Sequence, residues 1–224
     1  MSTATQKLLE GIPVIPVLAL TNVDTAPDLA NALVEGGLPA LEITLRTPQA
    51  MDVIAAIKDA CPKAIVGAGT VNTPEQFELC AKAGVEFMVS PGLFQPLLRA
   101  AHETGIPYLP GVATASEILL AINEGLTTCK FFPAQQAGGI DMLKALAGPY
   151  GEMTFCPTGG INKDNFRDYL ALDNVFCVGG SWAAPNDLIS SQNWSEITDR
   201  AKLCLLYTSP SPRDLSTSRM PSSA

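Results

Sequence analysis

The 224-residue chain is 47% hydrophobic and 16% charged, a globular balance that excludes a disordered or fibrous protein. Its net charge of −8, with 14 scattered Lys and Arg and no basic run, argues against a nucleic-acid partner. A single histidine, His102 in the helical stretch LLRAAHETG, excludes a site built on two or three histidines and with it the usual zinc constellation; no metal is expected, and no cofactor either.

In chain order, short apolar runs alternate with longer amphipathic ones. The strand candidates are residues 13–20 (PVIPVLAL), 40–46 (ALEITLR), 64–70 (AIVGAGT), 87–92 (FMVSPG), 108–114 (YLPGVAT), 129–134 (CKFFPA), 154–160 (TFCPTGG) and 175–181 (VFCVGGS). The first of these is too short and too proline-interrupted to cross a membrane, and no convincing signal-peptide frame surrounds it. Helical stretches such as TPQAMDVIAAIKDA, TPEQFELCAKAG and TASEILLAINEG fill the gaps. Each opens on a threonine able to cap (Thr47, Thr73, Thr114), and two of the three close on glycine. Eight strands with eight intervening helices predict a single-domain α/β fold, the (β/α)8 TIM barrel. A doubly wound open sheet would instead carry its Gly-rich phosphate loop after the first strand.

The last helix, beginning near Trp194, is expected to stop early. From about Leu203 the sequence LCLLYTSPSPRDLSTSRMPSSA turns Ser/Pro-rich and loses its helical period. Residues 1–202 are therefore read as the barrel, and 203–224 as a disordered tail or a scar foreign to the fold. Cys61, Cys80, Cys129, Cys156, Cys177 and Cys204 show no CxxC or zinc spacing and read as buried thiols of a cytoplasmic protein.

A (β/α)8 barrel carries its chemistry at the C-terminal ends of its strands. In the second strand, alternation places Glu42, Thr44 and Arg46 on one side and Leu41, Ile43 and Leu45 on the other. The apolar set must face the helices, so a glutamate and an arginine point inward. An internal Glu42–Arg46 salt bridge without chemistry is one reading of that pair. In the sixth strand Lys130 and Phe132 share a face, and Lys130 stands among Cys129, Phe131, Phe132 and Pro133. Burial disfavours a charged amine, and a neutral amine is what attack on a ketone requires. Glu42 suits the proton transfers of imine formation, and Arg46 suits a bidentate grip on the carboxylate of a 2-oxo acid. Gly159-Gly160 end the seventh strand and Gly179-Gly180-Ser181 the eighth, where barrels recurrently bind phosphate through bare backbone N–H groups. Tight turns would use glycine too.

ALEITLRT, IVGAGTV, SPGL, KFFPA, CPTGG and VGGSW occur in the order and spacing of the bacterial 2-keto-3-deoxy-6-phosphogluconate (KDPG) and 4-hydroxy-2-oxoglutarate aldolases, which the chain resembles over about residues 6–202. The resemblance implies a metal-free class I lyase of the Entner–Doudoroff pathway, cleaving KDPG to pyruvate and glyceraldehyde 3-phosphate as a homotrimer. It implies Lys130 as the Schiff-base lysine and Glu42 as the acid/base. Arg46, Thr70 and Thr158 would hold the pyruvyl carboxylate end, Pro91 and Phe132 would wall the reacting carbons, and Gly159, Gly160, Gly179, Gly180 and Ser181 would receive the phosphate. Many members carry a glutamate where this chain has Gln135. The alternatives are an aldolase for the galactonate epimer, a phosphate-binding isomerase or synthase in which Lys130 is only an electrostatic clamp, and a non-catalytic phospho-ligand sensor. The expected partner is a small phosphorylated 2-oxo acid, with no nucleic acid and no membrane.

Overall fold

The computed structural model describes residues 4–206. Nine short strands, β1 (Val14–Leu18), β2 (Ala40–Thr44), β3 (Ile65–Gly69), β4 (Phe87–Val89), β5 (Tyr108–Leu109), β6 (Gly111–Val112), β7 (Thr128–Phe131), β8 (Thr154–Pro157) and β9 (Val178–Gly180), alternate with helices. All the pairings between strands are parallel. One run is ordered β5-β4-β3-β2-β1-β9 and the other β6-β7-β8. The two runs close into a ring at both ends. Isolated bridges join Phe155 to Val175 and Thr158 to Gly179 on one side. On the other, β5 and β6 are halves of one expected strand, split at Pro110, which lacks the N–H a continuous ladder needs. The result is the (β/α)8 barrel.

The first helix α1 (Ala4–Leu8) precedes the barrel, and α2 (Ala26–Glu35), α3 (Ala50–Ala60), α4 (Pro74–Lys82), α5 (Gln95–Thr104), α6 (Ala115–Asn123), α7 (Gly139–Ala147) and α8 (Phe166–Leu170) follow successive strands. Thr73 accepts from Gln76 N, and Thr114 forms a full capping box with Glu117, as expected of both. Thr47 does not cap: α3 starts beyond Gln49, and the Thr47 hydroxyl instead donates to Leu20 O at 2.6 Å, tying the loop after β2 to the loop after β1. After β9 come α9 (Asn186–Ser190) and α10 (Trp194–Leu206). The boundary expected after residue 202 therefore falls inside α10. The local period is weak there, but Cys204 is buried and a side chain at Gly37 would run into Leu205, so packing against the barrel extends the helix. The rest of the expected tail, 207–224, lies outside the described residues.

Alternation along each strand builds two cores. Leu41, Ile43, Val66, Ala68, Cys129, Phe131 and Phe155 face outward into the large core beneath the helices. Ile15, Ala40, Phe87, Val89, Leu109, Cys156 and Cys177 fill the lumen, and Leu9 and Ile12, following α1, pack against them. The Thr5 hydroxyl donates to Tyr108 O at 3.2 Å and fixes α1 to the barrel. The lumen is thus packed solid at its lower end, which leaves its upper layer for polar groups.

Candidate active site

Two residues above the apolar Ala40, β2 places Glu42 in the lumen, and β7 places Lys130 opposite it. The two strands lie on opposite sides of the ring, so the side chains meet across the lumen, with Lys130 Nζ 3.3 Å from Glu42 Oε1. Their side chains are 7% and 4% exposed. A buried ion pair is poor evidence for stability, because desolvation offsets most of the attraction. Here it puts a carboxylate within proton-transfer reach of an amine. Phe132 stands 5.2 Å from Nζ to ring centroid and walls the lysine on the rim side.

Glu42 reaches this place only because β3 carries Gly69 beside it: a methyl there would overlap Oε1 and crowd Cγ and Cδ at 2.6 and 2.7 Å. Beneath the pair lie Cys156 and Cys177. Burial pushes the Cys177 thiol well above its usual range, reinforced by the neighbouring Cys156 and the charge of Glu42. Cys177 therefore stays neutral and offers the lysine no second counter-charge.

Alternation carries the inward side of β2 only as far as Thr44. Its hydroxyl donates to Leu18 O at 3.0 Å and accepts from Arg46 Nε at 3.2 Å. Arg46 lies beyond the end of β2, exposed at the rim, and forms no ion pair among the described residues. The Glu42–Arg46 bridge is absent because Lys130 takes the carboxylate.

Thr70 caps β3 in the left-handed region (φ 57°), a conformation costly for a threonine and typical of functional sites. Thr158, buried, receives its backbone position from Phe131 O at 2.9 Å. Its hydroxyl lies against Gly179, where a methyl would overlap it. Pro91 is exposed in the loop after β4, and its carbonyl packs on Gly111, the neighbour of Lys130 in the β6–β7 ladder. Gly159 and Gly160 both adopt positive φ, 98° and 79°. Gly179 and Gly180 are buried in β9, with Gly180 bare for a packing reason, since the Trp182 ring lies on it; Ser181 follows, exposed.

Three supports were not singled out from the sequence. Besides Gly69, Ser90 and Tyr108 hold the Pro91 loop: their hydroxyls are 2.6 Å apart, and Ser90 Oγ donates to Gly92 O at 2.7 Å. The third is Tyr169, whose hydroxyl donates to Gln135 Oε1 at 2.9 Å beside the Gly159–Gly160 turn. The SPGL and CPTGG motifs pointed to these loops, but nothing local pairs a tyrosine with them.

The model of the KDPG and KHG aldolase family matches residues 5–200. The KHG/KDPG aldolase of Escherichia coli is 48% identical over 200 residues, which cover 89% of this chain and 94% of that one. A KDPG aldolase of Legionella pneumophila, with pyruvate captured as a covalent carbinolamine, superposes with TM-score 0.86 at 44% identity, covering 92% of this chain and 99% of its own. The Zymomonas mobilis enzyme, with 3-phosphoglycerate, gives TM-score 0.86 at 39% identity over 92% and 97%.

Proposed function

The chain belongs to the KDPG and KHG aldolase family and is an aldehyde-lyase; from that premise we propose that it cleaves 2-keto-3-deoxy-6-phosphogluconate to pyruvate and glyceraldehyde 3-phosphate through an imine on Lys130. The observation that carries this reading is the buried Lys130–Glu42 contact at the C-terminal end of the barrel.

Glu42 takes a proton from the Lys130 ammonium, and the amine adds to the C2 ketone. Glu42 returns the proton to the carbinolamine hydroxyl, which leaves as water and yields the iminium. Glu42, a carboxylate again, takes the proton of the C4 hydroxyl as the C3–C4 bond breaks and its electrons flow into the iminium nitrogen. The aldehyde departs, Glu42 returns the proton to C3 of the enamine, and water hydrolyses the pyruvyl imine. Arg46 is the cation for the carboxylate of the 2-oxo acid, with the Thr70 and Thr158 hydroxyls beside it. Pro91 and Phe132 confine the reacting carbons. The backbone of Gly159, Gly160, Gly179 and Gly180, with Ser181, receives the phosphate. The carbinolamine in the Legionella relative and the 3-phosphoglycerate in the Zymomonas relative support the two ends of this assignment. The same imine would serve 4-hydroxy-2-oxoglutarate. Six unpaired, buried cysteines support a reducing, cytoplasmic setting. Exposed Phe94, Leu119, Leu120 and Ile122 around α5 and α6 support a contact between copies of the chain, and the family resemblance makes the assembly a trimer.

Pyruvate plus borohydride should add a stable mass to Lys130; folded protein left unmodified there would overturn the reading. Lys130→Arg keeps the charge but forms no imine, so turnover should fall roughly 10⁴-fold or more. Surviving turnover would assign the lysine to electrostatics alone.

A further inference from the structure

The Gly159–Gly160 turn has no side chains of its own to hold it, so its position is set by what surrounds it. Its carbonyls are both engaged. Gly159 O accepts from Gln135 N at 3.0 Å, and Gly160 O accepts from Asn165 Nδ2, just before α8, at 3.0 Å. The Gln135 side chain lies directly on Gly160, where an added methyl would overlap its Cβ. The loop after β7 and the loop after β8 are therefore one packed unit, joined also by Ala134 N to Thr158 O at 2.8 Å.

Gln135 is exposed, and a long exposed amide ordinarily samples several rotamers. Here it is tethered. Tyr169 of α8 is 1% exposed, its ring fixed in the core, and its hydroxyl donates to Gln135 Oε1 at 2.9 Å. Burial raises the phenol above its usual range, so it remains a donor across the working pH range. The tyrosine hydroxyl also sits where a side chain on Gly139 would approach within 3.0 Å, so the start of α7 is shaped to admit it.

We propose that Tyr169 and Gln135 are positioning residues for the phosphate end of the substrate: their hydrogen bond clamps the amide against Gly160 and sets the Gly159–Gly160 backbone in its phosphate-binding geometry. The inference rests on the assignment of the phosphate to the glycine pairs. It makes the acceptor oxygen of the Gln135 side chain part of the specificity for phosphorylated over unphosphorylated substrates. Neither residue touches the imine, so the lysine chemistry itself is independent of the clamp.

The test uses the full chain and the variants Tyr169→Phe, Gln135→Met and Gln135→Glu. Each is assayed with KDPG, with unphosphorylated 2-keto-3-deoxygluconate, and for inhibition by inorganic phosphate. Borohydride trapping with pyruvate reports the lysine alone. Phe and Met variants should raise KM for KDPG and the inhibition constant of phosphate about three- to tenfold, the loss of one hydrogen bond. Their kcat, their unphosphorylated-substrate KM and their pyruvate trapping should stay within about twofold on the same scale. Gln135→Glu keeps the acceptor and should behave like the parent. Unchanged phosphate readouts in Tyr169→Phe, or a parallel loss of kcat and pyruvate trapping, would overturn the clamp. So would a Glu variant as weak as the Met variant. If the parent neither prefers the phosphorylated substrate nor is inhibited by phosphate, the phosphate assignment itself fails, and the clamp with it.

Discussion

Gly67 and Gly69 sit two residues apart on the luminal side of β3, and their bare Cα atoms serve different ends. At Gly67 the space is filled by the ring of Phe87, part of the apolar plug, so that a methyl there would run into the ring. At Gly69 the space is filled by the carboxylate of Glu42. One strand thus contributes a packing slot to the lower layer and a slot for the Glu42 carboxylate to the upper. The difference shows that the lumen is divided by depth. Its floor is an ordinary core whose disturbance costs stability. Its upper layer is polar, built on the Lys130–Glu42 pair, and under the proposed function its disturbance should cost activity.

The largest expected effect that would sharpen this division is in Gly69→Ala. The methyl displaces Glu42 from Lys130, and kcat/KM should fall about a hundredfold, the scale of an ångström-sized misplacement. Pyruvate trapping should slow in step while the denaturant midpoint moves little. A variant that loses midpoint and keeps turnover would erase the distinction between the two glycines. Next comes Gly67→Ala, which overpacks the Phe87 ring and should cost about 1–3 kcal/mol in urea unfolding. The folded fraction should keep its turnover within about twofold, and adding Phe87→Leu should restore part of the stability. Loss of turnover at full stability would place the chemistry deeper than the upper layer.

The effect that is smallest near neutral pH, and grows only in alkali, concerns the buried thiols and phenol. Burial pushes the Cys129 thiol to about 12 and the Tyr108 phenol to about 12, and raises Cys177 in the floor as well. Groups whose folded values are raised stabilise fully below their ordinary values and lose that contribution as pH climbs toward the folded ones. Thermal midpoints should hold to about pH 9 and then decline toward 12, by up to about 1.4 kcal/mol per pH unit for each group. Ellman's reagent at pH 8 should find the native thiols inert, and rapid reaction of the lumen pair would show that the floor opens.

Much of the site was legible because it is carried by alternation. Once eight strands were recognised, a glutamate between leucine and isoleucine, and a lysine between cysteine and phenylalanine, had to face inward. Past the end of a strand, alternation says less. Arg46 lies beyond the last residue of β2, Thr44, exposed at the rim, where its Nε donates to the Thr44 hydroxyl. Thr47 looked like a cap and is instead a tie to Leu20, because a hydroxyl bonds to whatever acceptor the neighbouring loop presents. Past residue 202, a faint period hid the last turn of α10, which is held by contacts with a segment far away in sequence.

By itself the sequence determined the element order, the barrel, the inward-facing residues of each strand and the glycine pairs at the rim. These follow from period-2 alternation and local turn chemistry, which need no partner to be read. The tertiary structure alone decided that Glu42 pairs with Lys130 rather than Arg46, that Gly69 leaves room for it, and that Tyr169 braces Gln135. The first depends on closure of the ring, which brings together residues 88 positions apart; the other two depend on how neighbouring units pack on one another. Closure is set by the summed packing of the strands, and no local pattern encodes it.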